Sequence, residues 1–142
     1  MSYAARIARR HTPDAGQVQV VLGALLGRGR LVAEGGDMHL VIVLGERHAW
    51  LADWTYRRIA PLAPSPLRTH GRILLRSVPH PLFAELDGVL AQPRRLLAAL
   101  GREALWVWAM YARVGGCERS APASCACVPA TPPPRRTARR AS

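Results

Sequence analysis

The spacing of apolar and polar positions changes period several times along the chain. Thr12-Pro13-Asp14 reads as a helix start, with Thr12 as N-cap, a proline whose missing N–H costs nothing in the first turn, and an acid that suits the helix dipole. The helix that follows, to about Leu26, is apolar almost all round from Val18 and must be buried on most sides. It carries Gly23 and Gly27, which lie four apart and so share one face. Each costs about 1 kcal/mol against alanine inside a helix. Their simplest use is to let a second helix approach closely.

Beyond Gly29 alternation replaces helical spacing. Arg30–Glu34 and residues 38–44 read as two short strands around a hairpin at Gly35-Gly36-Asp37. Residues 46–60 return to helical spacing, with Trp50, Leu51, Trp54, Ile59 and Leu62 apolar, until Pro61, Pro64 and Pro66 end the run. Leu67–Thr69 and residues 72–78 look like a second strand pair joined at His70-Gly71, and Pro79 and Pro81 stop it. Leu82, Phe83, Leu86, Val89 and Leu90 then follow helical spacing. Pro93 breaks that helix, and a last one runs from about Gly101 to Tyr111. The order is helix, two strands, helix, two strands, helix, helix. It predicts an α+β unit over residues 13–114, with a four-stranded antiparallel sheet and helices on one face.

The ends differ from this body. Residues 1–12 hold Arg6, Arg9, Arg10 and His11 and read as a basic N-terminal arm. Residues 115–142 lose all periodicity, and their Gly, Ser, Ala, Pro, Cys and Arg cannot bury a core, so they read as a disordered basic tail.

Composition adds a partner class. The chain has 142 residues, 49% of them hydrophobic, and a net charge of +11, which points to a polyanion: nucleic acid first, an anionic membrane second. All 20 basic residues are arginine, an excess that a GC-rich genome also produces, so charge alone favours nucleic acid only modestly. The longest apolar runs, 18–26 and 104–112, fall far short of the roughly 20 residues that span a bilayer. No membrane partner and a cytoplasmic location are therefore expected. Cys117, Cys125 and Cys127 match no zinc spacing, and no histidine follows them.

Four blocks in order then carry a family resemblance. Val21-Leu22-Gly23-Ala24-Leu25-Leu26-Gly27-Arg28-Gly29 resembles a LAGLIDADG motif. Trp50-Leu51-Ala52-Asp53-Trp54 with Ile59-Ala60-Pro61-Leu62 is similar to the family's next helix. Arg76-Ser77-Val78-Pro79-His80-Pro81-Leu82-Phe83-Ala84-Glu85-Leu86 resembles a later conserved block. Ala104-Leu105-Trp106-Val107-Trp108-Ala109-Met110 resembles the approach to a second motif. Together they cover residues 14–112, and the chain is identified as a degenerate, truncated member of the LAGLIDADG homing endonuclease family.

The resemblance implies a LAGLIDADG-type α-ββ-α-ββ-α unit in which two motif helices pack through small residues and the sheet forms a saddle in the DNA major groove. It also implies a Mg²⁺-dependent, site-specific endonuclease, with an aspartate at the base of each motif helix holding metal for phosphodiester hydrolysis. Here those two positions are Arg28 and Ala112. A guanidinium repels Mg²⁺ and a methyl group cannot ligate it. Asp14, Asp37, Asp53 and Asp87 fall at a helix start, a turn and two helix faces. No catalytic residue, metal site or cofactor is expected. The Gly23/Gly27 face is expected to lie against the helix at 102–111, and Val107 and Tyr111, which match Gly23 and Gly27 in the second motif, are bulky enough to push the two helices apart or leave them poorly fixed. No second saddle follows Tyr111, and the tail reads like GC-rich DNA translated out of frame.

On the strand at 72–76, Arg72 and Arg76 alternate with Ile73 and Leu75 and so share one face. In a domain of this resemblance they are candidates for contact with double-stranded DNA, with Arg30, Arg68 and His70 in the same set. His80 is expected to cap the strand–helix junction, and Trp50 and Trp54 to lie in the core. Three readings follow: a DNA-binding domain without nuclease activity, a regulator reusing the same fold, or an active endonuclease after dimerisation. A homodimer through the motif helix is a further expected partner.

Overall fold

The computed structural model describes residues 2–114; the tail at 115–142, with its three cysteines, lies outside the described residues. Within the basic arm at 1–12, residues Tyr3–Arg10 form a helix, α1, which the sequence reading did not assign. Its N-terminus is capped by Ser2, whose Oγ accepts from Ala5 N at 3.2 Å. Arg9 lies 3.2 Å from Asp37, and Ala8 is buried against the body.

Helix α2 (Ala15–Gly27) is capped by Asp14 rather than Thr12. Gln17 decides this. Its backbone N–H donates to Asp14 Oδ1 at 2.8 Å while its side chain accepts from Asp14 N at 3.1 Å, a reciprocal capping box that Thr12 is too far upstream to make. The Gln17 amide also donates to Ala60 O at 2.8 Å and tethers the far end of the next helix.

Two hairpins make the sheet. Strands β1 (Arg30–Glu34) and β2 (Asp37–Gly45) turn through Gly35 and Gly36, with φ of 57° and 86°. Strands β3 (Leu67–Thr69) and β4 (Arg72–Arg76) turn through His70 and Gly71, with φ of 49° and 74°. Positive φ at both central residues is the two-residue turn that matches strand twist. The sheet order is β1-β2-β4-β3, antiparallel throughout. The fold is thus a mixed α+β one around a four-stranded antiparallel sheet.

Leu40, Ile42, Leu44, Ile73 and Leu75 cover the inner face of β2 and β4 and are all buried. Helix α3 (Ala49–Ile59), preceded by a 3-10 turn over Glu46–His48, adds Leu51, Ala52 and Ile59 to this core. Trp50 points out of it, 53% exposed, against the expectation of a core residue. Trp54 is only partly buried and meets Trp106 edge-on, with ring centroids 5.4 Å apart. Helix α4 (Pro81–Leu90) is capped by His80, whose Nδ1 accepts from Leu82 N at 3.0 Å and whose Nε2 lies 2.9 Å from His11 O.

Pro93 does more than end α4, because it is the first residue of a further helix, α5 (Pro93–Ala99), which periodicity did not reveal. Proline's fixed φ and absent N–H suit that position as well as they suit a stop. Gln19 fastens the following turn, donating to Ala99 O at 2.8 Å and accepting from Gly101 N at 2.7 Å. Helix α6 (Arg102–Val114) then packs along α2. Among the described residues no helix is long and apolar enough to cross a membrane.

Candidate nucleic-acid interface

The close approach of α2 and α6 organises this half of the molecule. A Cβ added at Gly23 would collide with Ala104 O and stand 2.7 Å from Val107 Cβ; one added at Gly27 would collide with Tyr111 Cβ. Contacts rise together along both helices, Gly23 with Val107 and Gly27 with Tyr111, so the helices run parallel. The Gly23/Gly27 face thus lies against α6 as expected, and the bulk of Val107 and Tyr111 does not push the pair apart. Instead each seats on the glycine opposite, where a missing side chain leaves room for its bulk. The Tyr111 ring passes on to α3, where its hydroxyl lies 2.6 Å from Thr55 Oγ1. Burial pushes the Tyr111 pKa up to about 12, which the Thr55 hydrogen bond only partly offsets.

A parallel pair brings both helix C-termini, with their unsatisfied carbonyls, to one end. Arg28, the C-cap of α2, answers both. It closes its own helix, and its Nη2 reaches Val114 O at the end of α6, 3.4 Å away. Ala112, in the last turn of α6, is exposed. A guanidinium, carbonyls and a methyl group do not make a divalent-cation site, because the hard cation needs anionic oxygen donors and Arg28 already supplies the positive charge. Asp14 caps the opposite end of α2, and Asp37 sits on the sheet. Among the described residues no group of three or more His, Cys, Asp or Glu is placed to hold a metal.

Strand register fixes which side chains share the outer face of the sheet. Directly paired residues point the same way, so that face is crossed by rows of Glu34–Asp37, Val32–His39, Arg30–Val41–Arg76, Val43–Leu74–Leu67 and Gly45–Arg72–Thr69. Arg30, Arg72 and Arg76 of the expected set therefore lie together on it, all exposed. Arg68 does not. It pairs with the inward-facing Ile73, so it stands on the other side of the edge strand, 3.9 Å from Glu46. The exposed His70 is at the tip of the β3–β4 hairpin, away from the rows.

Two acids share this face that the sequence reading did not place there: Glu34, and Asp37, which was read as a turn residue and instead begins β2 opposite Glu34. Arg76 Nη2 donates to Glu34 Oε2 at 2.9 Å. His39 Nδ1, buried, lies 3.0 Å from the same oxygen but out of line for a hydrogen bond, and among the described residues it has no other partner. Asp37 carries Arg9 of α1. Val32 and Leu67 are exposed between the charges. The signal was present in the two-residue turn at Gly35-Gly36, which forces Glu34 opposite Asp37 and sets the parity of both strands.

The positive charge is unevenly spread. Residues 1–10 hold three arginines and no acid, and residues 115–142 hold five arginines and one glutamate. The ends thus supply most of the net charge of +11. The outer sheet face is mixed, with three guanidiniums, two carboxylates and an apolar band.

Comparison with protein-family models, with curated proteins and with solved structures found no match to this chain.

Proposed function

We propose that this chain is a DNA-binding domain on a LAGLIDADG-type fold, holding double-stranded DNA on the outer face of its sheet without cutting it. The observation that carries the reading is the parallel pair α2 and α6, closed over Gly23 and Gly27, behind a two-hairpin sheet with Arg30, Arg72 and Arg76 exposed on its open side. The major groove admits a two-stranded β-ribbon, and there guanidiniums meet phosphates and guanine edges. Val32 and Leu67 are suited to thymine methyl groups, and Glu34 to a cytosine amino group. The absence of nuclease activity rests on chemistry, since Arg28 and Ala112 stand where the family holds its metal.

The test is a salt titration of binding to duplex DNA by the full chain, wild type against Arg72→Ala/Arg76→Ala. Affinity falls by about 0.9 log units per log unit of salt for each phosphate contact, so the variant's slope should be shallower by roughly the contacts it has lost. Identical slopes would remove both arginines from the interface. In parallel, no strand cleavage is expected with Mg²⁺, and nicking that a chelator abolishes would overturn the non-cutting reading.

A further inference from the structure

Helix α1 is held to the body on one side and carries exposed charge on the other. Ala8 is 1% exposed. Arg9 meets Asp37 at 3.2 Å, at the β1–β2 hairpin end of the outer sheet face. His11, which ends the helix, is fastened twice: its Nε2 lies 2.8 Å from Gln17 Oε1, and its carbonyl oxygen lies 2.9 Å from His80 Nε2. At 3.6 residues per turn, Tyr3, Arg6, Ile7 and Arg10 fall within an arc of about 100° on the side opposite Ala8. All four are exposed, and they line a shallow cleft of about 290 Å³.

We propose that α1 is a docked phosphate clamp, in which Arg6 and Arg10 grip the backbone of the duplex held by the sheet. The inference rests on the DNA-binding reading above and adds a second contact region to it. Charge selects the ligand, because residues 1–10 carry three arginines and no acid. Asp37 engages Arg9, which leaves Arg6 and Arg10 facing outwards. These two stand one turn apart, about 6 Å along the helix axis, so their long side chains reach neighbouring phosphates of one strand. The Tyr3 hydroxyl is a further donor of the kind that meets phosphate. Position agrees with charge. Asp37 belongs to the outer face, so α1 borders that face, and a duplex running past the hairpin end passes the clamp.

A lipid surface suits the same residues less well. A helix lying in a membrane buries an apolar face and keeps its basic residues on the other. Here Tyr3 and Ile7 share their side of the helix with Arg6 and Arg10. Docking also separates the clamp from a flexible basic arm. A helix already fixed at Ala8, Arg9 and His11 loses little freedom when its arginines engage, so the body must hold α1 for the clamp to work.

The experiment is a salt titration of binding by the full chain to a duplex of roughly 20 base pairs, about two helical turns. It compares wild type, Arg6→Ala/Arg10→Ala, Arg72→Ala/Arg76→Ala and Ala8→Gln, with thermal melts as the control for folding. At about 0.9 log units per contact, the Arg6/Arg10 variant should have a slope shallower by about 1.8. Both positions are exposed, so its fold should stay intact. Ala8→Gln keeps every arginine but puts an amide side chain where a methyl group is buried, which releases α1 from the body. Its slope should fall nearly as far. A wild-type slope in the Arg6/Arg10 variant would overturn the clamp, and one in Ala8→Gln would overturn its docking in favour of a flexible arm. Loss of slope from the Arg72/Arg76 variant alone would leave the sheet reading standing without the clamp, and loss from the Arg6/Arg10 variant alone would do the reverse. A wild type that ignores the duplex but binds phosphatidylserine vesicles through Arg6 and Arg10 would overturn both in favour of a lipid surface.

Discussion

The seam between α2 and α6 and the outer face of the sheet are held to very different tolerances. At the seam, Val107 and Tyr111 lie so close to Gly23 and Gly27 that no side chain fits there. On the outer face, nothing lies within 4 Å of a Cβ built at Gly35, Gly36 or Gly71, and the rows between the turns mix guanidiniums, carboxylates and exposed Val32 and Leu67. Shape fixes the first region and charge the second. Substitutions should therefore cost stability at the seam and change binding on the face.

The largest effect is expected from Gly23→Val. Its Cβ would meet a backbone carbonyl, which cannot swing aside, and overpacking of this kind costs about 3 kcal/mol or more. Denaturant melts should show it, and a loss under 1 kcal/mol would mean that the helices are free to separate. Arg72→Ala in the same assay should stay within about 0.5 kcal/mol, as exposed positions do.

Tyr111 gives the seam an alkaline weakness. Its folded pKa of about 12 lies above the ordinary tyrosine value of 10.0, so the unfolded chain releases this proton first. The stabilising difference is whole below pH 10 and is lost as pH rises towards 12, up to roughly 2–3 kcal/mol in all. The chain contains no lysine to confuse that range. Tyr111→Phe should flatten the stability profile between those pH values, and an equally steep profile in the variant would assign the loss elsewhere.

Arg28→Asp is expected to cost about 1–2 kcal/mol, because it puts a carboxylate beside two helix C-termini and removes the hydrogen bond to Val114 O. Thermal melts check it, and a variant as stable as wild type would show that the guanidinium does not hold the helix ends. The smallest effect belongs to the open face. Glu34→Gln releases Arg76 from its ion pair and removes a carboxylate from the path of phosphates. Affinity for duplex DNA at low salt should rise a few-fold, as expected for an exposed pair worth about 1 kcal/mol or less; unchanged affinity would place the bound DNA away from Glu34.

Much of this could be read from local pattern, for a local reason. Alternation and helical spacing reflect which face of an element is buried, so the two hairpins, α2, α3 and α4 were legible from the residues themselves. Gly-Gly and His-Gly between apolar runs fixed where the strands turn, because few other pairs take positive φ in succession. What the one-dimensional pattern left open was decided by neighbours distant in the chain. Gln17 moved the helix cap to Asp14, the packed body ordered the basic N-terminus into α1, and Pro93 began a helix as readily as it ended one. Register put Arg68 on the opposite side of the sheet from Arg72 and brought Glu34 to Arg76, since pairing depends on which strands meet. The fate of Val107 and Tyr111 turned on two missing Cβ atoms on another helix. The sequence by itself determined the charge and every element except α1 and α5; only the tertiary structure decided which side chains face one another, because contact is a property of two surfaces and the chain records them one at a time.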